Sequence, residues 1–164
     1  LLTGKMGNGH PDSLDVQAAV AQIRRLDPAE VQRRLGGVGA WATQLPAATG
    51  PKYGIVGFCW GGATVFEHAV AAPALGASLA AGVAFYGSAP KPDALAPVQA
   101  PLLALLAGDD ARVNATIPAA DSALRAAGKT FEQATYPGAG HGFLRQQTGR
   151  EGANLAASQA AWPR

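Results

Sequence analysis

Four short, mostly apolar runs constrain the fold of this chain more than any other feature. They span residues 53–58, 82–86, 101–107 and 130–136. Segments with the apolar spacing of helices lie between and after them, at residues 63–70, 115–127 and 150–162. Short apolar strands that alternate with helices are typical of a mostly parallel sheet covered by helices on both faces. The fourth run is the most polar, which predicts a position near a sheet edge.

The segment before the first run predicts two more helices. Ser13 stands where a first helix would take its N-cap, after a loop over residues 1–12. A second helix is predicted to start at Asp27, Pro28 and Glu30. Asp is a good N-cap, Pro suits the first turn and Glu completes a capping box. Three glycines between residues 36 and 39 predict a bend or an early end of that helix.

Length and composition narrow the class of protein. The 164 residues fit a single α/β domain over residues 1–164, with 48% hydrophobic and 15% charged residues. The net charge is only +2 and the basic residues are dispersed, so nucleic acid is not an expected partner. A single cysteine and three histidines without ligand spacing predict neither a disulfide nor a metal site, and no cofactor is expected. No long apolar run is visible that would predict a membrane span, and no signal peptide is visible that would predict export. We therefore expect a cytoplasmic protein.

Reactive side chains follow three of the four predicted strands. Cys59 follows the first strand, Asp109 and Asp110 follow the third, and His141 follows the fourth. Parallel strands end at one edge of the sheet, where such folds place their functional residues. We therefore expect these side chains to meet.

The cysteine lies in the stretch Gly57-Phe58-Cys59-Trp60-Gly61, at a predicted strand-to-helix turn. The pattern G-x-C-x-G is the thiol version of the nucleophile turn G-x-S-x-G. Glycines two residues before and after the nucleophile leave room for a sharp turn, which exposes the side chain. The turn also aims the Trp60 N–H at an oxyanion that forms during attack on a carbonyl.

Other interpretations of this turn exist. A lone cysteine is most often a small buried apolar residue, and a glycine-rich turn can also cradle phosphate or allow close helix–strand packing. A redox role would need an external thiol. The downstream residues favour a nucleophile, because His141 lies in a glycine-rich loop suited to a general base and an aspartate precedes it. The order nucleophile, acid, histidine is that of α/β-hydrolases. His10 and His68 are weaker candidates for the base.

Four stretches together resemble the dienelactone hydrolase family of α/β-hydrolases. They are GIVGFCWGG, GVAFYG, PLLALLAGDDARV and YPGAGHGFLR. The resemblance implies a Cys59 nucleophile, a His141 base and, through the spacing G-x-D-x-x-V, Asp110 as the acid. It implies hydrolysis of a small ester or lactone, either an enol-lactone that bears a carboxylate or a broader set of short-chain esters.

The resemblance also implies roles around the triad. Trp60 would give an oxyanion-hole N–H, Arg145 and Tyr86 would contact substrate, and Lys5 falls near a second carboxylate-binding cation. Compared with the family, the first strands, a second oxyanion donor and a glutamate that activates the cysteine would precede this chain, and the last helix looks short. We therefore expect a partial α/β-hydrolase fold of unknown oligomeric state. The alternative is a non-catalytic or partner-dependent fragment of such a hydrolase.

Overall fold

A four-stranded parallel sheet with helices on both faces forms the centre of the molecule. The computed structural model describes residues 15–164, apart from the side chain of Val16. The strands run in the order β1-β2-β3-β4 and every neighbouring pair is parallel, as predicted. In chain order the elements are α1 (Val16–Ile23), α2 (Pro28–Ala42), β1 (Tyr53–Phe58), α3 (Trp60–Ala71), β2 (Leu79–Phe85), β3 (Leu102–Ala107), α4 (Ala111–Asn114), α5 (Ile117–Ala126), β4 (Phe131–Tyr136) and α6 (Ala153–Ala161), with 3-10 turns at Pro92–Leu95 and Arg150–Gly152.

The central strand β3 shows why these runs are apolar throughout. Alternate residues of a strand point to opposite faces of the sheet. Leu102, Ala104 and Leu106 join a core formed with α3 and α5. Leu105 and Ala107 join a second core, formed with α6 and the loop after β4. Both faces of β3 are therefore buried, which accounts for its uninterrupted apolar sequence.

The two edge strands differ from this centre. β4 is an edge strand, as its polar sequence predicted, and most of its residues are at least partly exposed. In β1, Ile55 packs on the α3 side of the sheet. The side chains of Val56 and Phe58 lie on the opposite face and are 53% and 42% exposed. The second face of the sheet is thus covered over its centre but open over β1.

The helix starts agree with the sequence in one case and differ in another. The Asp27 carboxylate accepts the Ala29 N–H at the start of α2, as predicted. Helix α1 is capped by Asp15 rather than by Ser13, which lies outside the described residues. Helix α2 continues through its glycines to Ala42. None of the helices within residues 15–164 is both long and apolar enough to cross a membrane.

A buried polar chain joins α2, β1 and α3. The ring of His68 on α3 is fully buried. Its Nδ1 lies 3.0 Å from the Gln32 amide oxygen of α2, and its Nε2 lies 2.7 Å from the Tyr53 hydroxyl of β1. Because an amide oxygen only accepts, Nδ1 donates and Nε2 accepts from the tyrosine. His68 is therefore a structural residue.

Candidate active site

Cys59 occupies a strained turn between β1 and α3. Its backbone has φ 57° and ψ −116°, a conformation that costs a residue other than glycine about 1–3 kcal/mol. Its N–H donates to the Phe85 carbonyl oxygen at 3.0 Å, which continues the β1–β2 ladder by one residue. Helix α3 begins at Trp60, whose N–H belongs to the first helical turn and so has no intrahelical acceptor. The turn leaves Cys59 exposed at the carboxyl ends of the strands.

The glycines around Cys59 are required by close backbone packing more than by the turn itself. A Cβ on Gly57 would overlap the carbonyl group of Gly61, so the requirement predicted at that position is present. A Cβ on Gly61 would meet nothing within 4 Å, so the requirement predicted there is wrong. The second tight position is Gly62, where a Cβ would lie 2.6 Å from the Phe85 carbonyl oxygen. Helix α3 therefore presses against the end of β2.

His141 joins Cys59 to Asp110 in one hydrogen-bonded line. Its Nε2 lies 2.9 Å from the Cys59 Sγ, and its Nδ1 lies 2.5 Å from an Asp110 carboxylate oxygen. The carboxylate fixes the proton of the neutral ring on Nδ1, so the Nε2 lone pair faces the thiol. The structure thus brings the three predicted catalytic residues together.

The two neighbouring aspartates have different surroundings. Asp110 is 7% exposed, and its second carboxylate oxygen accepts the Val113 N–H at the start of α4. Asp109 is exposed and pairs with the Arg150 guanidinium at 2.8 Å. Of the two candidates for the acid, only Asp110 contacts His141.

A buried asparagine holds both ends of the turn that carries His141. The Asn154 side chain is 1% exposed. Its oxygen accepts the Gly140 N–H at 2.9 Å, and its NH₂ donates to the Gln146 carbonyl oxygen at 2.7 Å. No sequence pattern predicted a role for Asn154. The local sequence carries little signal for it, because an asparagine in the first turn of a helix is common without a distant partner.

Tyr86 and Arg145 lie on the His141 side of the cysteine. The Tyr86 ring meets the His141 ring edge-on, with centroids 5.2 Å apart. Burial raises the pKa of Tyr86, the negative charge of Cys59 raises it further, and the Arg145 guanidinium partly lowers it. The Tyr86 hydroxyl therefore stays protonated at neutral pH. Arg145 itself is exposed.

An open groove of about 760 Å³ lies in front of Cys59. Helix α1 forms one wall, and the residues around the turn and the ends of β2 and β3 form the others. Among the residues that the structure describes, its lining consists of Val20, Ile23, Arg24, Phe58, Cys59, Trp60, Gly61, Ala63, Tyr86, Ser88 and Arg112. Arg145 is not among them, and Lys5 lies outside the described residues. The sequence analysis did not identify Arg24, Ser88 or Arg112, because their approach depends on packing between distant segments.

The sequence and the fold were compared with those of known proteins. A protein of Methylorubrum extorquens AM1, provisionally named carboxymethylenebutenolidase, is 37% identical over 141 residues, 79% of this chain and 47% of that protein. A Saccharolobus solfataricus protein with the same provisional name is 36% identical over 110 residues, 66% of this chain and 40% of that one. This chain thus spans about half the length of these curated relatives, or less.

A solved structure of the same kind of protein has a similar fold. The crystal structure of a provisionally named dienelactone hydrolase from Klebsiella pneumoniae matches with a TM-score of 0.77 and 28% identity. The match covers 96% of this chain and 68% of that one. The parallel sheet with its flanking helices is therefore of the α/β-hydrolase type. Residues 5–164 match the model of one family, so this chain belongs to the dienelactone hydrolase family.

Proposed function

We propose that this chain carries the catalytic residues of a hydrolase of small esters or lactones. Cys59 is the nucleophile, His141 the general base and Asp110 the residue that orients the histidine. One observation supports the proposal above all: the unbroken contacts from the Asp110 carboxylate through His141 to the Cys59 sulfur, beside an open groove. This is the arrangement that activates a thiol for attack on a carbonyl.

In the first half-reaction, His141 Nε2 takes the thiol proton and the Cys59 sulfur attacks the carbonyl carbon. A carbon–sulfur bond forms, and the carbonyl oxygen becomes an oxyanion near the Trp60 N–H. The oxyanion then collapses and the bond to the leaving oxygen breaks. That oxygen takes the proton from His141, which leaves a thioester on Cys59. In a lactone, the leaving oxygen remains part of the same molecule.

In the second half-reaction, water hydrolyses the thioester. His141 Nε2 takes a proton from the water while its oxygen attacks the thioester carbon. The second tetrahedral intermediate collapses, the carbon–sulfur bond breaks and the carboxylic acid leaves. The proton on His141 returns to the sulfur. The Asp110 carboxylate stabilises the imidazolium in both halves.

The chemistry of the groove supports small oxygen esters as substrates. A thiolate is a good nucleophile toward carbonyls whose oxygen leaving groups depart easily, as in activated esters and enol-lactones. Apolar side chains such as Phe58 and Trp60 line much of the groove and suit a small organic body. Tyr86 adds a protonated hydroxyl on the His141 side.

Hydrolysis of p-nitrophenyl acetate by the purified 164-residue chain tests this proposal. We expect Cys59→Ala to reduce the rate to that of buffer, because the variant cannot form the thioester. Ser122→Ala, on α5, is the matched control and keeps the parental rate. Circular dichroism of both variants checks that they fold. Parental turnover in the Cys59→Ala variant would refute the nucleophile assignment.

One observation favours a second candidate, a partner-dependent hydrolase fragment. The apolar side chains of Val56 and Phe58 on edge strand β1 are about half exposed, beside the site. An additional segment or chain could cover them and complete the oxyanion hole. Under this alternative, iodoacetamide still alkylates Cys59 but the isolated chain does not hydrolyse the ester. Steady Cys59-dependent turnover by the isolated chain would exclude it.

A further inference from the structure

The turn between β3 and α4, which carries Asp110, is bound on one side by the β4–α6 loop. The Gly108 N–H donates to the Tyr136 carbonyl oxygen at 2.8 Å, and the Asp109 N–H donates to the Ala139 carbonyl oxygen at 3.0 Å. The main-chain carbonyl groups of the turn need donors of their own, because they lie where the ladder of β3 ends.

The side-chain amide of Asn114 supplies these donors. Its Nδ2 lies 2.8 Å from the Ala107 carbonyl oxygen and 3.2 Å from the Gly108 carbonyl oxygen. The main-chain N–H of Asn114 also donates to the Asp110 carbonyl oxygen at 2.9 Å. Asn114 therefore binds both ends of the turn that carries the aspartate.

The two carbonyl oxygens fix the orientation of the Asn114 amide. They only accept, so the NH₂ group and not Oδ1 must face them. Oδ1 is buried, and no donor within residues 15–164 reaches it. A buried acceptor without a partner costs free energy and offsets part of what the two donated bonds contribute. We therefore expect this side chain to add little net stability.

Helix capping does not account for these contacts. Asparagine side chains that cap helices or close local turns bond to groups within about four residues. Asn114 ends α4, yet its amide bonds six and seven residues back, beyond Asp110. Within α4 the Asp110 carboxylate accepts only the Val113 N–H, at 3.3 Å, which is long for such a bond. The direction of the carboxylate therefore depends on the turn.

We propose that Asn114 is a positioning residue, which holds the β3–α4 turn so that the Asp110 carboxylate fixes the tautomer and the direction of His141. This role rests on the function proposed above, in which His141 is the general base. Asn114 acts through the main chain, because its donors hold the carbonyl groups of the turn and the turn aims the carboxylate. It is not one of the described residues that line the groove, so its loss should affect kcat and not KM.

Hydrolysis of p-nitrophenyl acetate by two variants tests this role. Asn114→Leu removes both donors at a similar side-chain volume, and Asn114→Ala removes them with a smaller side chain. We expect kcat to fall about ten- to a hundredfold in both, as for small misplacements of catalytic groups, and KM to change by less than about twofold. Asn114→Gln keeps the donors on a longer stem and restores part of kcat.

Thr116→Val is the matched control, since it removes similar contacts just beyond α4. The Thr116 hydroxyl donates to the Val113 carbonyl oxygen at 2.7 Å and accepts the Ala89 N–H at 3.0 Å. We expect this variant to lower the urea midpoint while kcat stays within about twofold of the parental value. Equal losses of kcat in Thr116→Val and Asn114→Leu would overturn the positioning role. A parental kcat in both Asn114→Leu and Asn114→Ala would overturn it as well.

The tautomer of His141 is a second readout, which needs no turnover. In a chain labelled with ¹⁵N-histidine, the shifts of the two ring nitrogens show which one carries the proton of the neutral ring. His141→Gln identifies the signal by its loss. We expect Nδ1–H in the parent and in Thr116→Val, and a mixture of both tautomers in Asn114→Leu. The proposal fails if Asn114→Leu has the parental pattern.

The two readouts separate this proposal from the proposed function. Turnover that survives Cys59→Ala would reject the function, while the tautomer comparison would still report on Asn114. Cys59-dependent turnover, together with the same tautomer pattern in the parent and in Asn114→Leu, would reject the positioning role alone.

Discussion

The two sides of Cys59 are built very differently. On one side, His141 is held by Asp110 below it, and its loop is held by the buried Asn154. On the other side, Phe58 and Trp60 are 42% and 39% exposed at the edge of the sheet. The side that carries the proposed general base is thus fixed by buried hydrogen bonds, whereas the side proposed to receive substrate is open.

This difference shows which properties the described residues determine by themselves. A general base needs a fixed tautomer and a fixed direction. Both come from contacts among the β3–α4 turn, the β4–α6 loop and α6. A substrate groove needs accessible surface, and the open face of β1 and α1 provides it. Substitutions on the His141 side should therefore reduce both turnover and stability, whereas those on the open side should affect stability little.

The largest effect is expected from Asp110→Asn. An amide cannot fix the proton on Nδ1 as a carboxylate does, and it cannot stabilise the imidazolium. The loss in kcat for p-nitrophenyl acetate should be about 10³- to 10⁴-fold, as for equivalent changes in serine hydrolases. Asp109→Asn is the matched control, since this residue is exposed and its only ion-pair partner within residues 15–164 is Arg150. If both variants lose activity equally, Asp110 has no special role.

Substitution of two phenylalanines that contact the same ring allows a direct comparison of the two sides of Cys59. The rings of Phe58 and Phe143 lie 5.1 Å and 6.2 Å from that of Phe85. Phe143 is fully buried behind the His141 loop, whereas Phe58 is partly exposed. Phe143→Ala should lower the free energy of unfolding by about 3–5 kcal/mol and Phe58→Ala by less than half as much. Urea titration measures both, and equal losses would contradict the comparison.

Asn154→Ala should affect both properties. Loss of its two buried hydrogen bonds costs about 1–3 kcal/mol of stability. Because Asn154 holds the turn that carries His141 and lies outside the groove, kcat should fall about tenfold while KM changes little. Asn154→Asp keeps the acceptor for the Gly140 N–H and should restore part of kcat. Leu155→Ala, at the exposed neighbouring position, is the control. Lost stability with an unchanged kcat would show that the residue is only structural.

The smallest expected effect is on stability and concerns His68, a buried residue that supports the open side. Burial lowers the pKa of His68 below its ordinary value of 6.5. As the pH falls below about 6.5, the unfolded chain binds a proton that the folded chain does not, so the free energy of unfolding decreases. The slope is at most about 1.4 kcal/mol per pH unit. The urea midpoint should therefore fall more between pH 7.5 and pH 5.5 in the parent chain than in the His68→Gln variant. Equal falls in the two proteins would show that His68 does not contribute.

The centre of the fold was predictable because its sequence signals are local. The leucine-rich run of β3 identifies a strand buried on both faces. The start of β2 was placed three residues late, because its first residues are mostly alanines with no strand preference. The convergence of Cys59, Asp110 and His141 was predictable because parallel strands end at one edge.

The surroundings of the triad were less predictable, because they depend on contacts between distant segments. Nothing in the local sequence indicates that Arg24 and Arg112 line the same groove, or that Asn154 reaches back to Gly140. The requirement for glycine was placed at Gly61 instead of Gly62 for the same reason. That requirement comes from the end of β2, more than twenty residues away, and not from the turn.

The central claim is that Cys59 forms a covalent thioester that His141 helps to hydrolyse. Mass spectrometry of the chain, acid-quenched soon after mixing with p-nitrophenyl acetate, tests this claim directly. The account predicts one acetyl group on the peptide that contains Cys59, together with a burst of one p-nitrophenol per chain. His141→Gln should lengthen the lifetime of any adduct that still forms. Turnover with no adduct on Cys59, or with the acetyl group on another residue, would contradict the account.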